Sequence, residues 1–191
     1  MDLKTVLHDY LRVRRDDLLA KLDGLSEYDA RRPLTPTGTN LLGLVKHVAS
    51  TQLGYFGEVF DRPSPVTPVW LAEGAADDDD LWAPESESRA SIVEFHRFSA
   101  EHSDATIDAL DLDSPGVVPW WPVDRRDVTL GRILAHMIAE TARHAGHADI
   151  VRELIDESIG NGRGDPNIPS RSAEEWAAYR ARIERAARAA G

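Results

Sequence analysis

Apolar residues recur every three or four positions over four long stretches of the chain, and this spacing predicts amphipathic helices. The pattern predicts helices over about 3–22, 40–60, 88–110 and 130–160, with Thr39 or Asn40 capping the second and Thr129 capping the fourth. A fifth helix is predicted after Ser172, because Ser172 and Glu175 have the spacing of a capping box. No stretch predicts a strand long enough for a sheet. We therefore expect an all-α bundle.

Long connections separate these predicted helices. Residues 61–87 contain four prolines, two tryptophans and the acidic run 77–80, so we expect a long connection with at most a short helix, and a solvated loop at the acidic run. Residues 111–128 form a second loop rich in proline and tryptophan, and residues 161–170 are predicted to be a turn segment. The bundle should therefore carry two large loops.

Composition limits the function classes. A chain of 191 residues that is 42% hydrophobic can bury a core, and we expect a single domain over 1–191. The sequence lacks a run of apolar residues that could span a membrane and a secretory leader pattern, so we expect a cytoplasmic protein. The net charge of -11 disfavours nucleic acid and anionic membranes as partners. Because the chain has no cysteine, any bound metal must be held by His, Asp or Glu.

Three histidines and a glutamate lie close together in the fourth predicted helix. At about 100° per residue, His136, Glu140, His144 and His147 fall within an arc of roughly 80° that borders the apolar stripe. Glu140 and His144 are four positions apart, so both side chains can reach a single ion. The alternative is an ordinary hydrogen bond between these two residues on the helix surface.

A third metal ligand would have to come from another helix. His47 is the leading candidate, because its neighbours Leu41, Leu44 and Val48 place it on the apolar side of the second helix. Two imidazoles and one carboxylate would leave an ion with an open coordination position, as in catalytic zinc sites. The donor set would also accept Ni²⁺, Fe²⁺, Co²⁺ or Mn²⁺, and zinc is our first choice.

The second loop carries further candidates. Trp120 and Trp121 could wall an apolar substrate pocket or, alternatively, cap the helix ends. Arg125 and Arg126 could bind a carboxylate or sugar hydroxyls of a cofactor, or they could be solvated surface residues. Three other histidines are interpreted as packing residues rather than ligands: His8, His96 and His102.

Two segments of the chain resemble the DinB-like superfamily, and within it an actinobacterial branch of unassigned function. They are GTNLLGLVKHVASTQLGYFGEVFDRP in the second predicted helix and VTLGRILAHMIAETARHAGHADIVRELIDESIG in the fourth. The resemblance covers nearly the whole chain. It implies a DinB-like four-helix bundle with long connecting loops, an additional C-terminal helix and a divalent metal between the two matching helices. Members are often dimeric, and an exposed apolar face of the first or fifth helix could form a homodimer.

The resemblance also implies a ligand set. The family's second-helix histidine falls on His47, and its later histidine, with the pattern HR-G in most members, falls on His144 in the stretch 144–146. The position four residues earlier is histidine in many members but is Glu140 here, which is similar to the mycothiol-dependent maleylpyruvate isomerase branch. His147 occupies a position that is often glutamine, and it is expected to act as a substrate-side acid or base or to orient a ligand.

The activity implied by this resemblance is thiol transfer. Enzymes of the superfamily activate mycothiol, bacillithiol or glutathione-linked substrates, and a metal-coordinated thiol is deprotonated at neutral pH. The abundance of Arg and Ala is typical of high-GC actinobacteria, in which mycothiol is the expected thiol. We therefore expect a zinc-dependent S-transferase that brings mycothiol to an electrophile, with Trp120, Trp121 and Arg125 contacting the thiol cosubstrate. The alternatives are a metal-dependent hydrolase that uses the same site and a non-catalytic, stress-related metal- or ligand-binding protein.

Overall fold

The chain folds into helices joined by long loops, as its apolar pattern predicts. A computed structural model describes residues 2–161 and 165–191. Within these ranges the elements are α1 (Leu3–Ala20), α2 (Glu27–Arg31), α3 (Leu41–Phe56), α4 (Arg89–Ala109), β1 (Pro115–Val117), β2 (Asp127–Thr129), α5 (Leu130–Asp156) and α6 (Ala173–Ala190). Single turns of 3-10 helix occur at Glu58–Phe60 and Val69–Leu71. The fold class is therefore all-α, as expected.

Side-chain caps begin three of the long helices at the predicted residues. The Asn40 side chain accepts a hydrogen bond from the Gly43 N–H and caps α3, and the Thr129 side chain caps α5. The predicted capping box of α6 is present, since Ser172 and Glu175 each accept a hydrogen bond from the other's backbone N–H. These caps set where the site-bearing helices α3 and α5 enter the bundle.

The core lies between α1, α3, α4 and α5, which form the four-helix bundle. Helix α3 packs against both α4 and α5, and α1 packs against α5. Apolar side chains from all four helices meet in one core cluster that includes Leu11, Phe56, Ile107 and Leu134. Because α3 and α5 share this core, their polar edges are held side by side. Helix α6 has no buried residue.

Several short elements differ from the sequence prediction. Strands β1 and β2 pair antiparallel, with Gly116 opposite Val128, although no strand was predicted. Each strand has only three residues, which is too short for an alternating pattern to show. Helix α2 is a single turn capped by Ser26 in the stretch between the first two predicted helices, where no helix was predicted. Such elements are stabilised by local caps and neighbouring contacts, which cannot be predicted from the spacing of apolar residues.

The two site-bearing helices also end earlier than predicted. Helix α3 ends at Phe56 and continues as a 3-10 turn through Phe60, and α5 ends at Asp156, where Glu157 adopts a left-handed conformation with φ 63°. Of the predicted turn segment 161–170, residues 162–164 lie outside the described residues. No helix in the described part of the chain is long and apolar enough to cross a membrane.

Candidate functional site

The structure brings together three side chains from α3 and α5 that the sequence singled out. One donor atom each of His47, Glu140 and His144 lies within 4.8 Å of the other two. The His144 Nε2 atom is 2.9 Å from Glu140 Oε1, and the His47 Nε2 atom is 4.0 Å from the same oxygen. The two imidazole rings meet edge to face with centroids 4.9 Å apart. All three side chains are half-buried, so the group has one side open to solvent.

The donor set fits a divalent ion. Zinc binds imidazole nitrogen and carboxylate oxygen at about 2.0–2.2 Å, so the donors of a tetrahedral site lie about 3.4 Å apart. The shortest distance between two of the donor atoms here is 2.9 Å, and no two of them are more than 4.8 Å apart, so the distances lie on both sides of that value. Burial lowers the pKa of His144, opposed by its hydrogen bond with Glu140, so the neutral imidazole that a metal requires is favoured.

His47 has a carboxylate partner that the sequence analysis did not identify as functional. The His47 Nδ1 atom lies 2.8 Å from an oxygen of Asp80, whose side chain is only 15% exposed. With the carboxylate accepting a hydrogen bond from Nδ1–H, the lone pair of Nε2 points toward Glu140. Asp80 thus fixes both the tautomer and the orientation of His47.

The segment that carries Asp80 is tied to α3 by a buried lysine. Lys46 is 0% exposed, and its ammonium donates to the carbonyls of Asp79 at 2.7 Å and Trp82 at 2.9 Å. The same ammonium pairs with the Glu87 carboxylate at 2.7 Å and lies over the Trp70 ring. The prediction of a solvated acidic loop is therefore wrong for Asp79 and Asp80. A lysine inside the apolar run LLGLVKHV was the signal that could have revealed this anchor.

A glycine lets the same segment approach the backbone of α3. A Cβ atom added at Gly43 would stand 1.9 Å from the Leu81 carbonyl oxygen, so no larger residue fits without movement. The Asn40 side chain also donates to the Leu81 carbonyl. Asn40 at the cap of α3, Gly43 in its first turn and Lys46 in its second turn thus all help to hold the segment that carries Asp80.

An aromatic cluster lies next to the three candidate ligands. The His136 ring is 4.8 Å from Tyr55 and 5.2 Å from Trp121, and burial lowers the pKa of His136. The indole N–H groups of Trp120 and Trp121 donate to the Tyr55 hydroxyl. Trp121 packs on the core, whereas Trp120 is 48% exposed. Because His136 precedes Glu140 by one helical turn, the two indoles lie on the site's side of the bundle.

The other predicted site residues lie at the edge of the group or away from it. His147 is exposed, and its ring meets that of His144 edge to face at 5.4 Å. Arg125 is exposed in the loop between β1 and β2, where its backbone N–H donates to the Pro122 carbonyl. His147 thus borders the candidate ligands, and the contacts of Arg125 do not connect it to them.

The remaining histidines have other surroundings, as expected of packing residues. His8 lies 2.8 Å from an Asp104 oxygen, and the His102 Nε2 atom is 2.9 Å from the Arg62 carbonyl. His96 is buried, and burial lowers its pKa to about 4. Across residues 2–161 and 165–191, no second group of three potential metal ligands comes together.

Comparison with known proteins assigns the family. A family model described as mycothiol-S-transferase matches residues 6–157, which run from α1 to the end of α5 and include all three candidate ligands. Comparisons with curated proteins and with solved structures gave no match. The matched family is a DinB-like family of transferase enzymes, in agreement with the resemblance and the helical fold. The chain belongs to the mycothiol-S-transferase family.

Proposed function

We propose that this transferase is metal-dependent, with one divalent ion, zinc as first choice, held by His47, Glu140 and His144. The observation that carries the proposal is the convergence of these three donors between α3 and α5 in a chain of the mycothiol-S-transferase family. Two imidazoles and one carboxylate leave a coordination position for an incoming ligand. The proposed cosubstrate at that position is the thiol of mycothiol.

A bound divalent ion lowers the pKa of a thiol that coordinates it, so the thiolate is present at neutral pH. The chain has no cysteine, which fits a transferase whose thiol nucleophile arrives with the cosubstrate. In the transfer the thiol loses its proton, its sulfur forms a bond to a carbon of the electrophile, and the leaving group departs with the electrons of the broken bond. Asp80 keeps the proton of His47 on Nδ1, so that the lone pair of Nε2 stays available to bind the ion.

We assign supporting roles to His147, to the two indoles and to Arg125 of the loop between β1 and β2. His147, exposed beside His144, accepts the thiol proton or orients the cosubstrate. Trp120 and Trp121 offer apolar surface to the bound molecules, and Arg125 offers hydrogen-bond donors to polar groups of mycothiol. Arg125 has the weakest support, because its described contacts lie within its own loop.

The test is a metal analysis coupled to a transfer assay. The protein would be purified without a metal-affinity tag and analysed by elemental mass spectrometry beside Glu140→Gln, His147→Ala and Glu153→Gln, an exposed control on the same helix. We expect about one ion per chain in the wild type, His147→Ala and Glu153→Gln. Glu140→Gln should lose affinity by more than the ~10–100-fold typical of changing a ligand's hydrogen-bond partner.

Transfer from mycothiol to an electrophile should then be absent in Glu140→Gln, slowed in His147→Ala and unchanged in Glu153→Gln. A wild type that binds no divalent ion after reconstitution would overturn the proposal. A metal-loaded protein that hydrolyses amides or esters without thiol would favour the hydrolase, and a loaded protein inert in both assays would favour the non-catalytic binding protein.

A further inference from the structure

A groove of about 420 Å³ lies between α3 and the connection 61–87. Thr51 and Gly54 of α3 line it on one side, and Val66 and Leu71 of the connection line it on the other. Trp120 and Asp80 complete its border. A volume in this range is typical of small-molecule sites, whose usual size is about 300–1,000 Å³.

The groove adjoins the candidate metal group through Asp80. At about 100° per residue, His47, Thr51 and Gly54 fall within an arc of about 60°, so the helix surface that lines the groove is the face that carries His47. Asp80 lines the groove and also contacts His47 at Nδ1. A molecule in the groove would therefore lie next to Asp80 and beside the proposed site.

The Trp120 side chain forms an apolar wall because α3 has a glycine beneath it. A Cβ atom placed at Gly54 would be 3.3 Å from the Trp120 ring, so the indole lies directly on the helix. The Tyr55 hydroxyl accepts a hydrogen bond from the indole N–H, which leaves the ring as the surface presented to the groove. Flat apolar molecules suit such a wall.

The charge of the groove has one sign. Among the described residues that line it, the charged side chains are Glu58 and Asp80, and both are carboxylates. The other lining groups are apolar side chains and hydroxyls. No described residue that lines the groove is a cation, so within the groove an anionic ligand would meet two like charges, and the proposed ion would lie beyond Asp80, on the Nε2 side of His47.

We propose that this groove is the electrophile site and that it selects uncharged, apolar electrophiles against anionic ones. The proposal rests on the proposed transferase function and adds its substrate class. The thiolate of the cosubstrate would form a sulfur–carbon bond to the electrophile in the groove and displace a leaving group such as chloride, which departs with its bonding electrons.

Binding without turnover provides the first test. The metal-loaded wild type would be titrated, without thiol, with 1,3-dinitrobenzene and with 3,5-dinitrobenzoate, an anion with the same dinitrophenyl ring. We expect the uncharged ligand to bind about tenfold more tightly. Glu58→Lys should reduce this ratio at least about threefold, whereas Glu94→Lys, the same charge change at an exposed position of α4 outside the groove, should leave it unchanged.

The kinetic test uses mycothiol with 1-chloro-2,4-dinitrobenzene and with 4-chloro-3,5-dinitrobenzoate. The ratio of kcat/KM values should favour the uncharged substrate and should fall in Glu58→Lys but not in Glu94→Lys. Equal binding of both probes, or a ratio insensitive to Glu58→Lys, would overturn the groove assignment even if transfer is observed. If neither chloride is turned over but the binding preference and its loss in Glu58→Lys are observed, the selectivity of the groove for uncharged ligands stands, and its assignment as the electrophile site fails together with the proposed transfer.

Discussion

The hydrogen bond between Asp80 and His47 determines which nitrogen of that imidazole can bind an ion. His47 has two ring nitrogens, and a carboxylate 2.8 Å from Nδ1 holds the proton there. Such a partner also restricts the rotation of the imidazole ring. The position of the Asp80 carboxylate therefore controls which nitrogen of His47, on α3, can bind the ion.

We predict that Asp80→Asn lowers the affinity for zinc or cobalt about 10–100-fold, because an amide can present its NH₂ group to Nδ1 and does not stabilise the required tautomer. The global stability should change little, since the side chain lies at the rim of the site. The measurement is a Co²⁺ or Zn²⁺ titration against a competing chelator. Asp78→Asn is the matched control, because Asp78 is exposed in the same acidic run. Equal affinities of Asp80→Asn and wild type would refute the positioning role.

The sequence predicts the three candidate ligands better than it predicts their partner. Glu140 and His144 are four positions apart on one helix, so their proximity follows from helical geometry alone. His47 follows from its place on an apolar helix face and from the family resemblance. Asp80 is one of four consecutive acidic residues, and nothing local separates it from the others. Its contact with His47 depends on where the anchored segment crosses α3, which is a tertiary property.

At the scale of the element, the first half of α3 serves as a platform for the 79–82 segment. Gly43, Lys46 and His47 are spaced by three and four residues, so they occupy one face of the helix. Gly43 admits the Leu81 carbonyl, Lys46 binds two carbonyls, and His47 binds the carboxylate. The helix therefore both supplies a candidate ligand and positions the residue that orients it.

We predict that Gly43→Ala costs about 1–3 kcal/mol of unfolding free energy, because the added methyl group must displace the Leu81 carbonyl. The metal affinity should fall as well, since Asp80 moves with its segment. Gly146→Ala on α5 is the control: nothing lies within 4 Å of its added Cβ, and replacing a helical glycine by alanine should stabilise by up to ~1 kcal/mol. Urea unfolding and metal titration of both variants measure these effects. A Gly43→Ala protein as stable as the wild type would show that the 79–82 segment can move away from α3 without a loss of stability.

The elements that the sequence predicts are those long enough to show a period. Helices α1, α3, α4 and α5 each span at least four turns and bury one face, so their apolar residues recur visibly. The paired strands β1 and β2 have three residues each, and their pairing depends on Gly116 fitting close to the Phe60 ring. Elements of this size are determined by contacts between segments distant in the chain.

At the scale of the whole molecule, the family match and the buried core cover nearly the same residues. The match ends at residue 157, one residue after α5, and α6 beyond it has no buried side chain.

Within the bundle, a buried polar cluster joins α1, α3 and α4. Arg15 donates to Gln52 and to Asp104. Burial acts to raise the pKa of Asp104, but its hydrogen bond with His8, the charge of Arg15 and the hydrogen bonds from Arg15 and Arg12 together lower that pKa below its usual value. The bundle therefore keeps charged groups in its interior as well as at the candidate site.

A buried histidine makes the stability of the whole fold sensitive to acid. His96 is 2% exposed, and burial, together with the positive charges of Arg15 and Arg97, lowers its pKa from 6.5 to about 4. Between these two values the unfolded chain binds a proton at His96 that the folded chain does not bind. The free energy of unfolding must therefore fall as the pH is lowered from about 6.5 to about 4.

At about 1.4 kcal/mol per pH unit, this difference corresponds to a loss of about 3 kcal/mol across the window. We predict that His96→Gln, which cannot take up the proton, loses about that much less stability than the wild type between pH 7 and pH 4. Urea unfolding in the presence of a chelator measures the difference without a contribution from bound metal. His102→Gln is the matched control, because it makes the same substitution on the same helix at a position that has access to solvent. Parallel pH profiles of wild type and His96→Gln would mean that the acid sensitivity of the fold arises from other groups.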